Sequence, residues 1–92
     1  MRDIVLYEKL GLERNYDDAP FYCGTFERRF NASLYIEAWK YYEEGYTPSY
    51  VEINCPLLEN GQITFYASEN EFSLATAKKI LGTIKKCLEY YK

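Results

Sequence analysis

The sequence predicts an α+β domain in two layers, a small sheet with helices packed against one of its faces. Three observations carry that expectation. Residues 50–67, YVEINCPLLENGQITFYA, alternate apolar and polar residues on both sides of Glu59-Asn60-Gly61, the strongest hairpin signal in the chain. Phe21 to Phe30, FYCGTFERRF, is rich in strand formers. Residues 32–44 and 73–91 place polar residues at helical spacing opposite an apolar side. The expected architecture is a sheet of about three strands, antiparallel or mixed (21–30, 50–58, 62–67), with helices 32–44 and 73–91 on one face, in a single domain covering 1–92.

Taken in order, Asp3 to Leu12 suits two readings: a helix capped by Asp3, carrying Leu6, Tyr7 and Leu10 and ending at Gly11, or a strand. The helix is preferred. Glu13 to Pro20, ERNYDDAP, has no apolar period and reads as a loop. In 21–30, Tyr22, Phe26 and Phe30 share one face, and adjacent Arg28 and Arg29 point to opposite faces. Ser33, Glu37, Lys40 and Glu44 form a polar stripe, with Leu34, Tyr35, Ala38, Trp39, Tyr41 and Tyr42 on the other side. Asn31 would cap this helix, and Gly45 followed by Pro48 would end it.

The hairpin poses a register question. A two-residue turn at Asn60-Gly61 would set Val51, Ile53, Cys55 and Leu57 on the face opposite Ile63, Phe65 and Ala67. A three-residue loop closed by Gly61 in the left-handed region pairs Leu57 with Ile63, Cys55 with Phe65 and Ile53 with Ala67 on one face. Each buried aliphatic side chain contributes roughly 1.5–3 kcal/mol. Losing a ladder bond at Pro56 costs only about 1 kcal/mol, so the aligned register is expected. The second hairpin strand would then be central, leaving the Pro56 strand at an edge. Beyond it, Ser68 opens a capping-box pattern with Glu71, and Ser73 is a second start. The last helix carries Ala77, Ile80, Leu81, Ile84, Leu88 and Tyr91 on its apolar side and Lys78, Lys79, Lys85 and Lys86 on the other. Gly82 costs it about 1 kcal/mol relative to Ala and is expected where helix and sheet pack closely.

The absence of histidine removes the commonest general base, the usual serine and cysteine triads and most catalytic zinc sites. Cys23, Cys55 and Cys87 form neither a C-x-x-C pair nor an even set, which argues against a zinc site and a disulfide framework. Cys87 has Lys85 and Lys86 nearby, but its place beside the apolar stripe reads as a packed thiol. Asp17-Asp18 and Glu43-Glu44 lack the spacing of a calcium loop. No catalytic residue, metal or cofactor is expected. With no run of about 20 apolar residues and no basic, apolar leader, the chain is expected to be cytoplasmic and not to enter a membrane.

Charge and aromatic content carry more information. Residues 1–72 hold 6 basic and 13 acidic side chains, a net of −7, whereas residues 73–92 have a net of +4. Eleven tyrosines are more than a domain of this size can bury, so part of them must face outward. The expected function is a small acidic, non-enzymatic protein-binding module. It would be a regulator, inhibitor or subunit that docks on a larger partner through Tyr35, Glu37, Tyr41, Tyr42, Glu43, Glu44 and Tyr46. A phage or mobile-element inhibitor presenting acidic groups as phosphate mimics is one version, and a homodimer is compatible with the tyrosine-rich surface. The alternative is a nucleic-acid-binding accessory protein using Lys78, Lys79, Lys85 and Lys86 against phosphates, a reading that the overall acidity weakens.

Overall fold

A computed structural model describes residues 1–15, 23–41 and 48–91, with Cys23 and Tyr41 described in their backbone only. Helices form at the two ends of the described chain and strands between them. The order is α1 (Asp3–Lys9), β1 (Glu13–Asn15), β2 (Cys23–Arg29), β3 (Tyr35–Tyr41), β4 (Tyr50–Asn54), β5 (Gln62–Tyr66) and α2 (Leu74–Tyr90). The strands form one antiparallel meander in the order β1-β2-β3-β4-β5. The α+β class therefore holds, but the sheet has five strands rather than about three. β3, not the second hairpin strand, is its centre.

The largest correction lies in 32–44, where β3 stands in place of the expected helix. Polar residues at 33, 37 and 40 fit helical spacing, but YIEAWKY also alternates: Ile36, Ala38 and Lys40 are buried, while Tyr35, Glu37 and Trp39 are not. Asn31 does cap, though a turn rather than a helix: its Oδ1 accepts the N–H groups of Ser33 (2.8 Å) and Leu34 (2.9 Å). Aromatic and β-branched residues then favour the extended chain, and β2 and β4 satisfy its backbone from both sides. Glu13–Asn15, expected as loop, adds β1 by pairing Glu13 with Glu27 and Asn15 with Thr25.

The hairpin keeps the expected face but not the expected register. Ile53 pairs with Ile63 and Val51 with Phe65, a shift of four residues. An even shift leaves every side chain on its own face. Cys55 N–H donates to Gly61 O (2.9 Å), Leu58 N–H to Cys55 O (3.1 Å) and Gly61 N–H to Leu58 O (2.9 Å), with Asn60 (φ 59°) and Gly61 (φ 77°) in the left-handed region. This longer loop takes Pro56 out of the ladder, so its missing N–H costs nothing there. Leu57 is exposed as a result.

The core lies between one sheet face and the helices. Phe26, Ile36, Ala38, Val51 and Ile53 meet Leu6, Tyr7 and Leu10 from the α1 segment and Ala77, Ile80, Ile84 and Cys87 from α2. The α2 stripe is thus centred one position away from the expected one: Leu81, Leu88 and Tyr91 are exposed, and Cys87 is inside. Ser73, not Ser68, is its cap, accepting Thr76 N–H at 3.1 Å. Ser68 and Glu71 instead bond each other's backbone (2.7 and 3.1 Å). Gly82 does not serve close packing, because a Cβ there would meet nothing within 4 Å.

α1 forms as preferred, ending at Gly11 (φ 70°), against whose Cα the Arg28 guanidinium packs. Asp3 does not act as its cap. Its buried carboxylate instead accepts from Lys40 Nζ (2.8 and 3.1 Å) and Ser49 Oγ (2.7 Å), tying α1 to β3. Lys40, expected on an exposed polar stripe, is only 7 % exposed. Among the described residues no helix is long and apolar enough to cross a membrane.

Candidate functional site

Strand alternation leaves a second sheet face, turned away from the helices, on which no described side chain is buried. Register organises that face into rows. Glu13 lies opposite Glu27, Glu27 opposite Glu37, Glu37 opposite Glu52, and Glu52 opposite Thr64. Four carboxylates on four neighbouring strands thus run straight across the sheet, about 14 Å from end to end at the usual strand spacing of about 4.8 Å.

The row on one side of the glutamates is largely aromatic: Asn15, Thr25, Trp39, Tyr50 and Tyr66 are register neighbours in that order. The rings of Tyr50 and Tyr66 are 5.9 Å apart, and Tyr66 is 65 % exposed. On the other side, Arg29 stacks over the Tyr35 ring at 4.4 Å. Arg29 is the one cation among the described residues of this face. Between the acidic and aromatic rows, Asn15, Thr25, Glu27, Glu37 and Trp39 surround a recess of about 210 Å³, partly floored by Phe26 and Ala38.

The helix side holds this face in place. The Tyr7 hydroxyl donates to the Trp39 carbonyl (2.6 Å) and lies 3.0 Å from that of Tyr50, fixing the strand pair that carries the aromatic row. Burial, and then the Asp3 carboxylate, raise the Tyr7 pKa well beyond the ordinary phenol value, so it remains a neutral donor. The glutamates, in contrast, oppose one another. Partial burial raises the Glu37 pKa, as do the charge of Glu52, a hydrogen bond with it and the charge of Glu27, while Arg29 acts weakly the other way.

Like charges directly opposite destabilise a sheet by several tenths of a kcal/mol per pair. The row is also spread rather than convergent: among the described residues no three carboxylates or thiols are grouped to hold a metal ion. The arrangement suits a long cationic side chain entering the recess, with Trp39 offering a π face and Glu27 and Glu37 offering acceptors.

Of the residues expected to bind a partner, Tyr35 and Glu37 lie on this face. Tyr41 closes β3 opposite Cys23, and Tyr42, Glu43, Glu44 and Tyr46 lie outside the described residues. Glu13, Glu27, Glu52, Trp39 and Tyr66 were missed. Single-strand alternation would have put each on a face, but their alignment depends on pairing register. Lys78, Lys79, Lys85 and Lys86 are all exposed on α2, with Lys79 and Lys86 beside β5 and away from the acidic face. Cys55 and Cys87 are buried, unlinked thiols; burial and a hydrogen bond between them push Cys87 up to about 12, which leaves it protonated and inert as a nucleophile. No family model, no curated protein and no solved structure matches this chain.

Proposed function

We propose that this protein is a small non-enzymatic binding module of the cytoplasm that docks onto a basic surface of a larger protein through its uncovered sheet face. The observation that carries the reading is the line of Glu13, Glu27, Glu37 and Glu52 beside Trp39, Tyr50 and Tyr66. Four mutually repelling carboxylates weaken the isolated domain, and a cationic partner removes that penalty on docking. Trp39 and the tyrosines supply rigid apolar area of the kind that dominates interface energetics. A partner Lys or Arg seated in the recess between Trp39 and the Glu27–Glu37 pair would be the anchor. A basic groove that ordinarily binds nucleic acid is one surface of this type, and occupying it would make the protein an inhibitor.

The test is capture of the partner from host extract with the wild-type chain and with Glu27→Lys/Glu37→Lys and Trp39→Ala, followed by affinity measurement on the purified pair. Charge reversal is expected to abolish capture. Trp39→Ala is expected to cost about 2 kcal/mol, roughly thirtyfold in Kd, and binding should weaken as salt rises. Capture that survives both variants but disappears when Lys78, Lys79, Lys85 and Lys86 become Ala would defeat this reading and favour the phosphate-binding alternative.

A further inference from the structure

β5 is the last strand of the sheet and pairs with β4 alone among the described strands. The bonds that flank this pairing, Ala67 N–H to Ser49 O (2.8 Å) and Cys55 N–H to Gly61 O (2.9 Å), fix its phase. Residues 63 and 65 bond to β4, so the N–H and C=O groups of Gln62, Thr64 and Tyr66 point to the open edge. Among the described residues the usual protections of an edge are missing here. QITFY has no proline and no charge, and its five pairs run without a bulge. The opposite edge, β1, is three residues long and carries Glu13 and Arg14.

Beside this edge, on the helix side, a groove of about 410 Å³ runs between β5 and α2, lined by Ile63, Phe65, Lys79, Gly82, Thr83 and Lys86. Ile63 is 38 % exposed in it. Gly82 weakens α2, and neither a positive φ nor a close neighbour requires it, since an added Cβ would touch nothing within 4 Å. What the missing side chain does is keep the groove open above Ile63 and Phe65.

We propose that the β5 edge and this groove form a second binding site, distinct from the acidic face, which takes an extended segment of a partner protein as a sixth strand. Alternate side chains of that segment enter the groove, so its groove-facing positions are aliphatic in the middle and carboxylate at the ends, where Lys79 and Lys86 stand. A second copy of this chain fits less well. QITFY has no carboxylate to meet the lysines, and two-fold pairing of β5 edges would bring Lys79 and Lys86 of both copies together.

The probe is the blocked peptide acetyl-Glu-Thr-Val-Thr-Ile-Thr-Glu-amide, whose groove-facing positions are Glu, Val, Ile and Glu, titrated into the 92-residue chain labelled with nitrogen-15. The amides of Gln62, Thr64 and Tyr66 are expected to shift and to exchange more slowly with solvent, and the analogue with Lys at both ends to bind at least tenfold more weakly. Gly82→Leu fills the groove while favouring the helix, so it should raise the melting temperature and lower peptide affinity at least tenfold. Lys79→Glu/Lys86→Glu should reverse the preference between the two peptides. Thr64→Pro, which removes an outward N–H, should abolish binding if it folds. Absence of binding, shifts confined to other surfaces, undiminished affinity in Gly82→Leu, or a concentration-dependent dimer through β5 that the peptide does not displace would each overturn the proposal.

Discussion

β3 handles charge in opposite ways on its two faces. Toward the helices, Lys40 is paired with Asp3, whose carboxylate also accepts from Ser49, so a buried charge is surrounded by matched partners. Away from them, Glu37 stands between Glu27 and Glu52 with like charge on either side. The first arrangement completes the fold from within. The second sets like charges side by side among the described residues, and the proposed docking surface rests on that row.

The comparison breaks most visibly on the inner side. Asp3→Ala leaves Lys40 buried without its counter-charge and is expected to cost about 3–5 kcal/mol, measured as a lowered urea midpoint. The double variant Asp3→Leu/Lys40→Met removes both charges and should recover most of that loss. A single variant costing under about 1 kcal/mol would mean that the inner pair is not what holds α1 to the sheet.

The outer side should respond with the opposite sign. Glu37→Thr relieves repulsion and suits a strand, so it should stabilise the isolated domain by about 0.5 kcal/mol while weakening partner capture. Loss of stability in Glu37→Thr would show that the row contributes to the fold.

The same contrast can be sharpened with pH. A carboxyl whose folded pKa is raised holds its proton more tightly in the folded state, so its contribution is greatest below the ordinary glutamate value. That contribution is lost as pH rises through the raised pKa. Stability differences between wild type and Glu37→Gln should therefore appear as pH climbs through that window and be flat below it, as followed by urea titration and by carbon-13 titration of the carboxyl. Smallest in stability terms is the behaviour of the thiols. With Cys87 pushed up to about 12 and Cys55 buried beside it, neither should be alkylated at pH 8 faster than the domain opens. Rapid labelling of either in the folded state would contradict the packed core.

How much of this was legible depended on whether a signal was local. The Gly11 stop, the Ser73 cap and the 74–90 helix could be read because caps and a helical period act within a few residues. Residues 35–41 were misread because the alternation of YIEAWKY coexists with the four-three polar spacing of Ser33, Glu37 and Lys40, and only pairing with β2 and β4 decides between them. Lys40 belonged to the polar stripe for the same reason: nothing near it in sequence announces a partner 37 residues away.

By itself the sequence determined the α+β class, the C-terminal helix, the face shared by the hairpin's apolar residues and the lopsided charge, since each follows from residue type and short-range geometry. The tertiary structure alone decided strands β1 and β3, the hairpin register, the Asp3–Lys40 pair, the glutamate row and the open groove beside β5. Each of these depends on which distant residues the paired strands and packed helices bring side by side, and a linear pattern carries the period of a strand but not the phase of its pairing.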